Sequence, residues 1–431
     1  MQIDPKNNAI TQRLGRVRQQ WDAFSRTRAE VMSWEIAEEE RPVIEVFADV
    51  ENSENGVFPD FFLRFETPFE RADDYATALV GEFKSYLAGE AEALREEGVA
   101  YHVSFPRRIE SVRLLWDALA AFAEAIPGFT GRVVVCLAPT YVKSRRPWEG
   151  WLLEALETPL PGRVRLLITH RGELSGLAAA YPQRVHATTA GLDMPGAMRE
   201  LAAAGNPKDP GVQFRMLFVA LNQAAGRKDL AQVQETGRQA LRLVQGQAGW
   251  EHMEVAVRLA VASALLGARQ SAEALAHNEQ ALESARRAYA AKHPAGVALL
   301  IQTLFFKGAT LLATKAYEAA ALAYEAIVPY AREDPNGAFH RVEACRMAGF
   351  AHAKSGNPRG AWACNWAALE EAAALDADVR RNATLPYVGQ ALLELAGTLG
   401  YFEREEAVRE RMVAYVGPDW EKQTAKNPVQ L

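Results

Sequence analysis

The chain has 431 residues, a formal net charge of −6, 49% hydrophobic residues and 24% charged ones. That length suits two or three domains, because single cores stop growing at about 250–300 residues, and the composition excludes a disordered or fibrous chain. The acidic balance argues against a general nucleic-acid or anionic-membrane binder, which needs a basic face, and leaves room only for a local basic patch.

Three cysteines, Cys136, Cys345 and Cys364, are too few for a disulfide framework and contain no CxxC pair. They fit a reducing compartment. Residues 1–6 hold no apolar run of signal-peptide length, and no stretch reaches the roughly 20 apolar residues of a membrane helix. The expectation is a cytoplasmic protein without a membrane span.

The first predicted element is a helix. Ile10, Leu14, Val17, Trp21, Phe24 and Val31 recur at intervals of three, four or their sum, so they share one helical face. Two readings stand: the stripe packs on its own domain, or it is offered to a partner. Strands are then expected at residues 42–48, 61–65, 99–105, 133–137 and 164–169, with helices at 73–97, 110–125 and 148–157. The unbroken apolar runs at 133–137 and 164–169 read as buried central strands. Alternating strand and helix predicts a three-layer α/β domain with a largely parallel sheet and flanking helices, over residues 1–203.

Little in this half is arranged for chemistry. No GxxxxGK[ST], GxSxG or HExxH occurs, so no phosphate loop, nucleophile elbow or zinc-protease pair is expected. Asp49, Glu51, Asp60 and Glu66 fall near expected strand ends, as an acidic metal cluster or, more plainly, as solvated loop charges. His102 and His170 read as structural histidines. Lys143, Arg145 and Arg146, followed by Trp148 and Trp151, make the most site-like loop. It is suited to an anion or an acidic partner surface; the plainer reading is a solvated basic loop with its tryptophans turned inward.

The strand ending Leu137-Ala138-Pro139, a helix, and then Leu166-Leu167-Ile168-Thr169-His170-Arg171 together resemble the second half of the nucleotide-binding core of STAND-type signalling ATPases, over about residues 132–192. The resemblance implies that Arg171 stands where that family senses a phosphate. The departures are large: no phosphate loop exists, and Ala138-Pro139-Thr140 supplies no carboxylate for magnesium. A magnesium-nucleotide site without either has little to hold the phosphates. The domain is therefore expected to be non-catalytic, with no cofactor and no metal.

Residues 204–211 stack two prolines and two glycines, a linker by local stereochemistry. Beyond it, helix follows helix. Gly308 and Gly349 are 41 apart, as are Ala320 and Ala361, and Tyr324 and Asn365. With the turn Gly356-Asn357-Pro358-Arg359-Gly360-Ala361, this spacing resembles tetratricopeptide repeats. The period exceeds the usual ~34 residues and is similar to the long-helix variant of kinesin light chains and bacterial regulators, about five units over residues 212–420 with a tail at 421–431.

Such hairpins bury their faces only against neighbours and stack into a superhelix with a concave groove. In that family first-helix residues line the groove, which here implies Leu259, Ser263, Leu266, Gln302, Phe305, Ala309, Leu312, Arg346, Phe350 and Ala353. This mainly apolar set suits an amphipathic helix or an extended apolar peptide. Trp362 and Trp366 read as inter-repeat packing, and Cys345, Cys364 and His352 as neighbours within one hairpin without a metal. The expected function is a protein-binding adaptor, chaperone or scaffold, with a bacterial secretion-effector adaptor as its narrower version and room for a second protein on the α/β half. The alternatives are a nucleotide-responsive regulator and a hydrolase or nuclease built on the four carboxylates.

Overall fold

The apolar stripe that opens the chain forms helix α1 (Ala9–Ser25) in a computed structural model that describes residues 8–106, 109, 111–172, 175–382 and 384–426. Residues 1–7, Glu110, with which one expected helix begins, and 427–431 of the expected tail lie outside the described residues. The Asn8 side chain accepts the Ile10 and Thr11 N–H groups and caps α1. Val17, Trp21 and Phe24 are buried, and Ile10 and Leu14 pack beside them. Val31 is not on that face. The helix ends at Ser25, and Val31 opens strand β1 (Val31–Glu35).

After β1 come α2 (Arg41–Glu51), β2 (Phe61–Phe65), α3 (Ala72–Gly89), α4 (Ala91–Glu96), α5 (Arg113–Ala125), β3 (Val133–Leu137), α6 (Arg145–Ala155), β4 (Val164–His170), α7 (Ser175–Ala180), β5 (Val185–Thr189) and α8 (Met194–Ala203). The strands form one sheet in the order β2-β3-β4-β1-β5, every pair parallel. Side chains alternate across it, as the two-residue period of a strand requires. Val133, Val135 and Leu137 face the core shared with α3, α5 and α6, while Val134 and Cys136 face α1 and α2. This is the expected three-layer α/β architecture.

Two expected strands are corrected. Residues 42–48 are α2: Pro42 sits in its first turn, where a missing N–H costs nothing, and Val43, Ile44, Phe47 and Ala48 make one buried helical face. Residues 99–105 carry no strand; the segment lies along α5, where the Tyr101 hydroxyl donates to the Ala118 carbonyl at 2.7 Å. Strands β1 and β5 were not expected. The helix expected at 73–97 is two helices, α3 and α4.

The chain divides into two compact units, 1–201 and 202–431. In the second, five antiparallel hairpins follow one another: α9 (Pro210–Gly226) with α10 (Leu230–Val244), α11 (Glu251–Gly267) with α12 (Ser271–Ala290), α13 (Gly296–Ala313) with α14 (Tyr317–Glu325) and its continuation α15 (Ile327–Glu333), α16 (Ala338–Lys354) with α17 (Pro358–Glu371), and, after the short α18 (Ala377–Asn382), α19 (Leu385–Leu399) with α20 (Glu405–Tyr415). Helix α21 (Trp420–Lys426) closes the stack. The expected tail at 421–431 is thus partly helical, and Trp420 is buried with Met412 and Val408. The expected linker at 204–211 ends inside α9, whose first turn contains Pro210 and Gly211 and is capped by Asp209.

One internal register runs through all five hairpins. Leu221 and Gly237, Ala262 and Asn278, Gly308 and Tyr324, Gly349 and Asn365, and Ala396 and Met412 are each sixteen apart, and every one is buried. Size is traded across the contact: a Cβ on Gly308 would meet the Tyr324 ring at 2.5 Å. Helix α13 is long and apolar enough to cross a membrane by length and composition. The expectation of no such segment was too strict, but here Leu300, Ile301, Leu304 and Leu311 of α13 are buried in the repeat core.

Candidate functional site

In open α/β sheets, ligands bind beyond the carboxyl ends of the strands. The first unit has a cavity there of about 360 Å³, lined from the ends of β1, β3 and β4 by Glu38, Arg41, Thr140, Arg145, His170 and Arg171, among others. It gathers three guanidinium groups from three separate segments. Arg171 is ion-paired with Glu38, and Arg41 with Glu45 at 2.8 Å. Gly172 has φ +72, a conformation glycine adopts freely, and a Cβ there would meet the Arg145 guanidinium at 3.0 Å. Of the four expected anion-loop residues, Arg145 and Arg171 line the cavity. Lys143 and Arg146 are exposed and do not line it.

His170 belongs to this cavity and to the sheet at once. Its Nε2 is 3.1 Å from the Ser33 hydroxyl on β1, and its Nδ1 bonds the Gly172 carbonyl. Burial lowers its pKa from the ordinary histidine value, against smaller opposing contributions from the Gly172 hydrogen bond and Glu35. The imidazole is fixed by two bonds, which fits the structural role read from the sequence.

The segment between β1 and α2 occupies the strand–loop–helix position in which a phosphate loop places its glycines and lysine. It reads Ile36-Ala37-Glu38-Glu39-Glu40, without either. Glu40 is buried, and its carboxylate accepts from the Ala37 N–H at 2.9 Å and from the Leu192 N–H. The loop donor at Ala37 is therefore turned onto a carboxylate of the same loop, and Glu38 adds a negative group to the cavity wall. The sequence alone does not show this, because β1, with Ser33 and Trp34, lacks the apolar run that would mark a strand ahead of the loop.

The four carboxylates do not converge. Glu51 is buried and accepts from the Val57 N–H at 2.7 Å and from Arg18 of α1 at 2.6 Å. Asp60, also buried, accepts from the Trp21 indole at 3.3 Å and the Arg132 N–H at 2.9 Å. Asp49 and Glu66 each pair with Arg64. Glu51 and Asp60 are thus structural clamps rather than solvated loop charges. Trp148 and Trp151 stack at 5.6 Å within the core, as the plainer reading had them. His102 lies in an outer cleft with Lys84 and Tyr101.

In the second unit the first helices carry three rows, at −3, +1 and +4 from the buried reference positions Leu221, Ala262, Gly308, Gly349 and Ala396. These offsets share one helical face. The first row is Phe218, Leu259, Phe305, Arg346 and Leu393; the second Asn222, Ser263, Ala309, Phe350 and Gly397; the third Ala225, Leu266, Leu312, Ala353 and Gly400. Leu259 departs from expectation: it is 9% exposed and belongs to the core with Val255 and Leu282, because its hairpin packs tightly on the next. Leu266, Phe305, Leu312, Arg346 and Phe350 are half-buried, and Ser263, Gln302, Ala309 and Ala353 are exposed. Arg346 is held by Glu343 at 2.9 Å, and the Lys354 ammonium sits 5.3 Å from the Phe350 ring centroid. Trp362 and Trp366 stack at 5.7 Å and share Arg404 from the fifth hairpin, which makes them packing residues.

No protein-family profile and no curated protein matches the chain. Similar solved structures include BtubC (BKLC) from P. vanneervenii, 14% identical, with a TM-score of 0.41 over 55% of this chain and 91% of that one. The apo form of RapI is 14% identical, with a TM-score of 0.38 over 54% of this chain and 71% of its own. A signal transduction ATPase with numerous domains (STAND) protein with a tetratricopeptide repeat sensor, from Pyrococcus horikoshii, is 11% identical with a TM-score of 0.28, over 96% of this chain and 77% of that one.

Proposed function

We propose that the chain is a non-catalytic protein-binding adaptor or scaffold whose first-helix face holds an amphipathic helix or an extended apolar peptide. The observation that supports this is the three-row face. Its apolar members Leu266, Phe305, Leu312 and Phe350 remain half-exposed on three successive first helices, although each sits beside a fully buried position. A partner gains binding energy by finishing their burial, about 25 cal/mol per Å² of apolar surface, and Ser263, Gln302 and Arg346 supply orienting polar contacts. Chaperone or secretion-effector adaptor is the narrower form of the reading. Free Cys136, Cys345 and Cys364 support a cytoplasmic location.

The test is co-purification from native cells. Phe305→Asp with Phe350→Asp should leave the helical circular dichroism unchanged and remove at least one protein that accompanies the parent chain. Retention of every co-purifying protein would reject the face.

A second reading rests on the cavity that gathers Arg41, Arg145 and Arg171, which suits an anion, and makes the first unit a nucleotide-responsive regulator. Against it stand Glu38 on the cavity wall and the glycine-free loop that Glu40 closes on itself. The scaffold reading is preferred.

A further inference from the structure

Three donor groups from two consecutive hairpins meet in the repeat unit. Glu325 is the last residue of α14, His352 lies in the last turn of α16, and Cys364 is midway along α17. The His352 Nε2 is 2.8 Å from the Glu325 Oε1, and the Cys364 Sγ is 3.5 Å from the same oxygen. All three donor atoms fall within 4.8 Å of one another. Zinc takes thiolate, imidazole and carboxylate at about 2.0–2.3 Å, which sets tetrahedral donors about 3.3–3.8 Å apart. The Cys364–Glu325 spacing falls within that range and the His352–Glu325 spacing just below it, so small side-chain rotations would seat an ion.

We propose that Glu325, His352 and Cys364 form a binding site for a zinc-class divalent cation that links the third hairpin to the fourth. One sulfur, one nitrogen and one oxygen donor select a borderline-soft metal over magnesium or calcium, which take oxygen. His352 and Cys364 are half-buried and Glu325 is exposed, so the fourth position opens outward to water or to a donor from a partner.

The protons balance as follows. The Cys364 thiol donates to the Glu325 Oε1, so it carries its proton in the absence of a metal. An arriving dication takes the thiolate and sends its proton to solvent. It also takes the Nε2 lone pair, which leaves the imidazole proton on Nδ1. Asn357 opposes that step. Its Oδ1 accepts the Gly360 N–H at 2.9 Å as the cap of α17, so its NH₂ group is the one that faces His352 Nδ1, at 3.3 Å. Loading the site breaks that long contact.

The experiment uses the full chain, stripped with a chelator, exchanged into chelator-free buffer and titrated with Zn²⁺ against a chromophoric competitor. One equivalent should bind. Cys364→Ser and His352→Ala should each lower affinity by about tenfold or more, and Cys136→Ser, in the sheet of the other unit, should not. Cobalt substitution gives a readout independent of folding in the variants: a thiolate-to-cobalt charge-transfer band should appear in the parent chain. Absence of that band, absence of a one-equivalent zinc site in the parent chain, or unchanged binding in a folded Cys364→Ser would overturn the proposal.

Discussion

At the scale of single residues, three buried carboxylates of the first unit take their partners from the chain itself. Glu40 closes the β1–α2 loop, Glu51 ties the end of α2 to the following loop and to α1, and Asp60 receives the Trp21 indole. Such groups stabilise only while paired, because a buried polar atom without a partner carries its full desolvation penalty. His170 adds a pH dependence of definite sign. Its folded pKa lies below the ordinary value of 6.5, so the unfolded chain binds the proton more readily. Its contribution is complete above about pH 6.5 and is lost as pH falls through that value toward the folded pKa. Melting temperatures between pH 7.5 and 5.5 should fall more steeply in the parent chain than in His170→Gln. The difference in stability should not exceed about 1.4 kcal/mol per pH unit, the limit for one proton. Parallel curves would show that the imidazole titrates alike in both states.

At the scale of elements, the repeats depend on how closely paired helices approach. Gly308 faces the Tyr324 ring and Gly349 faces Asn365, so a methyl at either point must displace a buried side chain. Gly308→Ala should therefore lower stability by about 1–3 kcal/mol from overpacking, less the roughly 1 kcal/mol that alanine gains over glycine in a helix. Gly267→Ala is the matched control, since nothing lies within 4 Å of the added Cβ. It should be neutral or stabilising by up to about 1 kcal/mol. Equal thermal shifts in the two variants would refute the close-approach account. Trp362 and Trp366 work in the same way between the fourth and fifth hairpins, where Arg404 caps their stacked rings.

At the scale of the whole molecule, two units bring two kinds of surface: an arginine-bearing cavity beyond the carboxyl ends of the central strands of a parallel sheet, and an extended half-apolar face on stacked helices. The lack of a glycine-lysine loop weighs against the nucleotide-responsive reading of the first. With no glycine-lysine loop to cradle a triphosphate, and with Glu38 on Arg171 and Glu45 on Arg41, weak anion binding is the expectation. Isothermal titration of the full chain with ATP or GTP and magnesium should accordingly show no micromolar binding. Micromolar binding that Arg171→Ala abolishes would replace the scaffold reading with the nucleotide-responsive one.

The sequence by itself determined the class of each half. Strands β2, β3 and β4 were legible because short apolar β-branched or aromatic runs have few other uses. The hairpins were legible because Gly308, Gly349 and the Gly356–Ala361 turn repeat at a fixed spacing. The same register and the family resemblance picked out a first-helix face, of which Leu259 is buried. Other features depended on contacts distant in sequence. Val43, Ile44, Phe47 and Ala48 suit a strand or a helix locally, and only burial against Trp21, Trp34 and Phe62 makes them α2. Strand β1 carries Ser33 and Trp34, and β5 alternates exposed residues, so neither shows the apolar run that marks a strand before its neighbours pair with it. The meeting of Glu325 with His352 and Cys364 spans 39 residues and two hairpins. No local pattern encodes it; it exists because consecutive repeats stack.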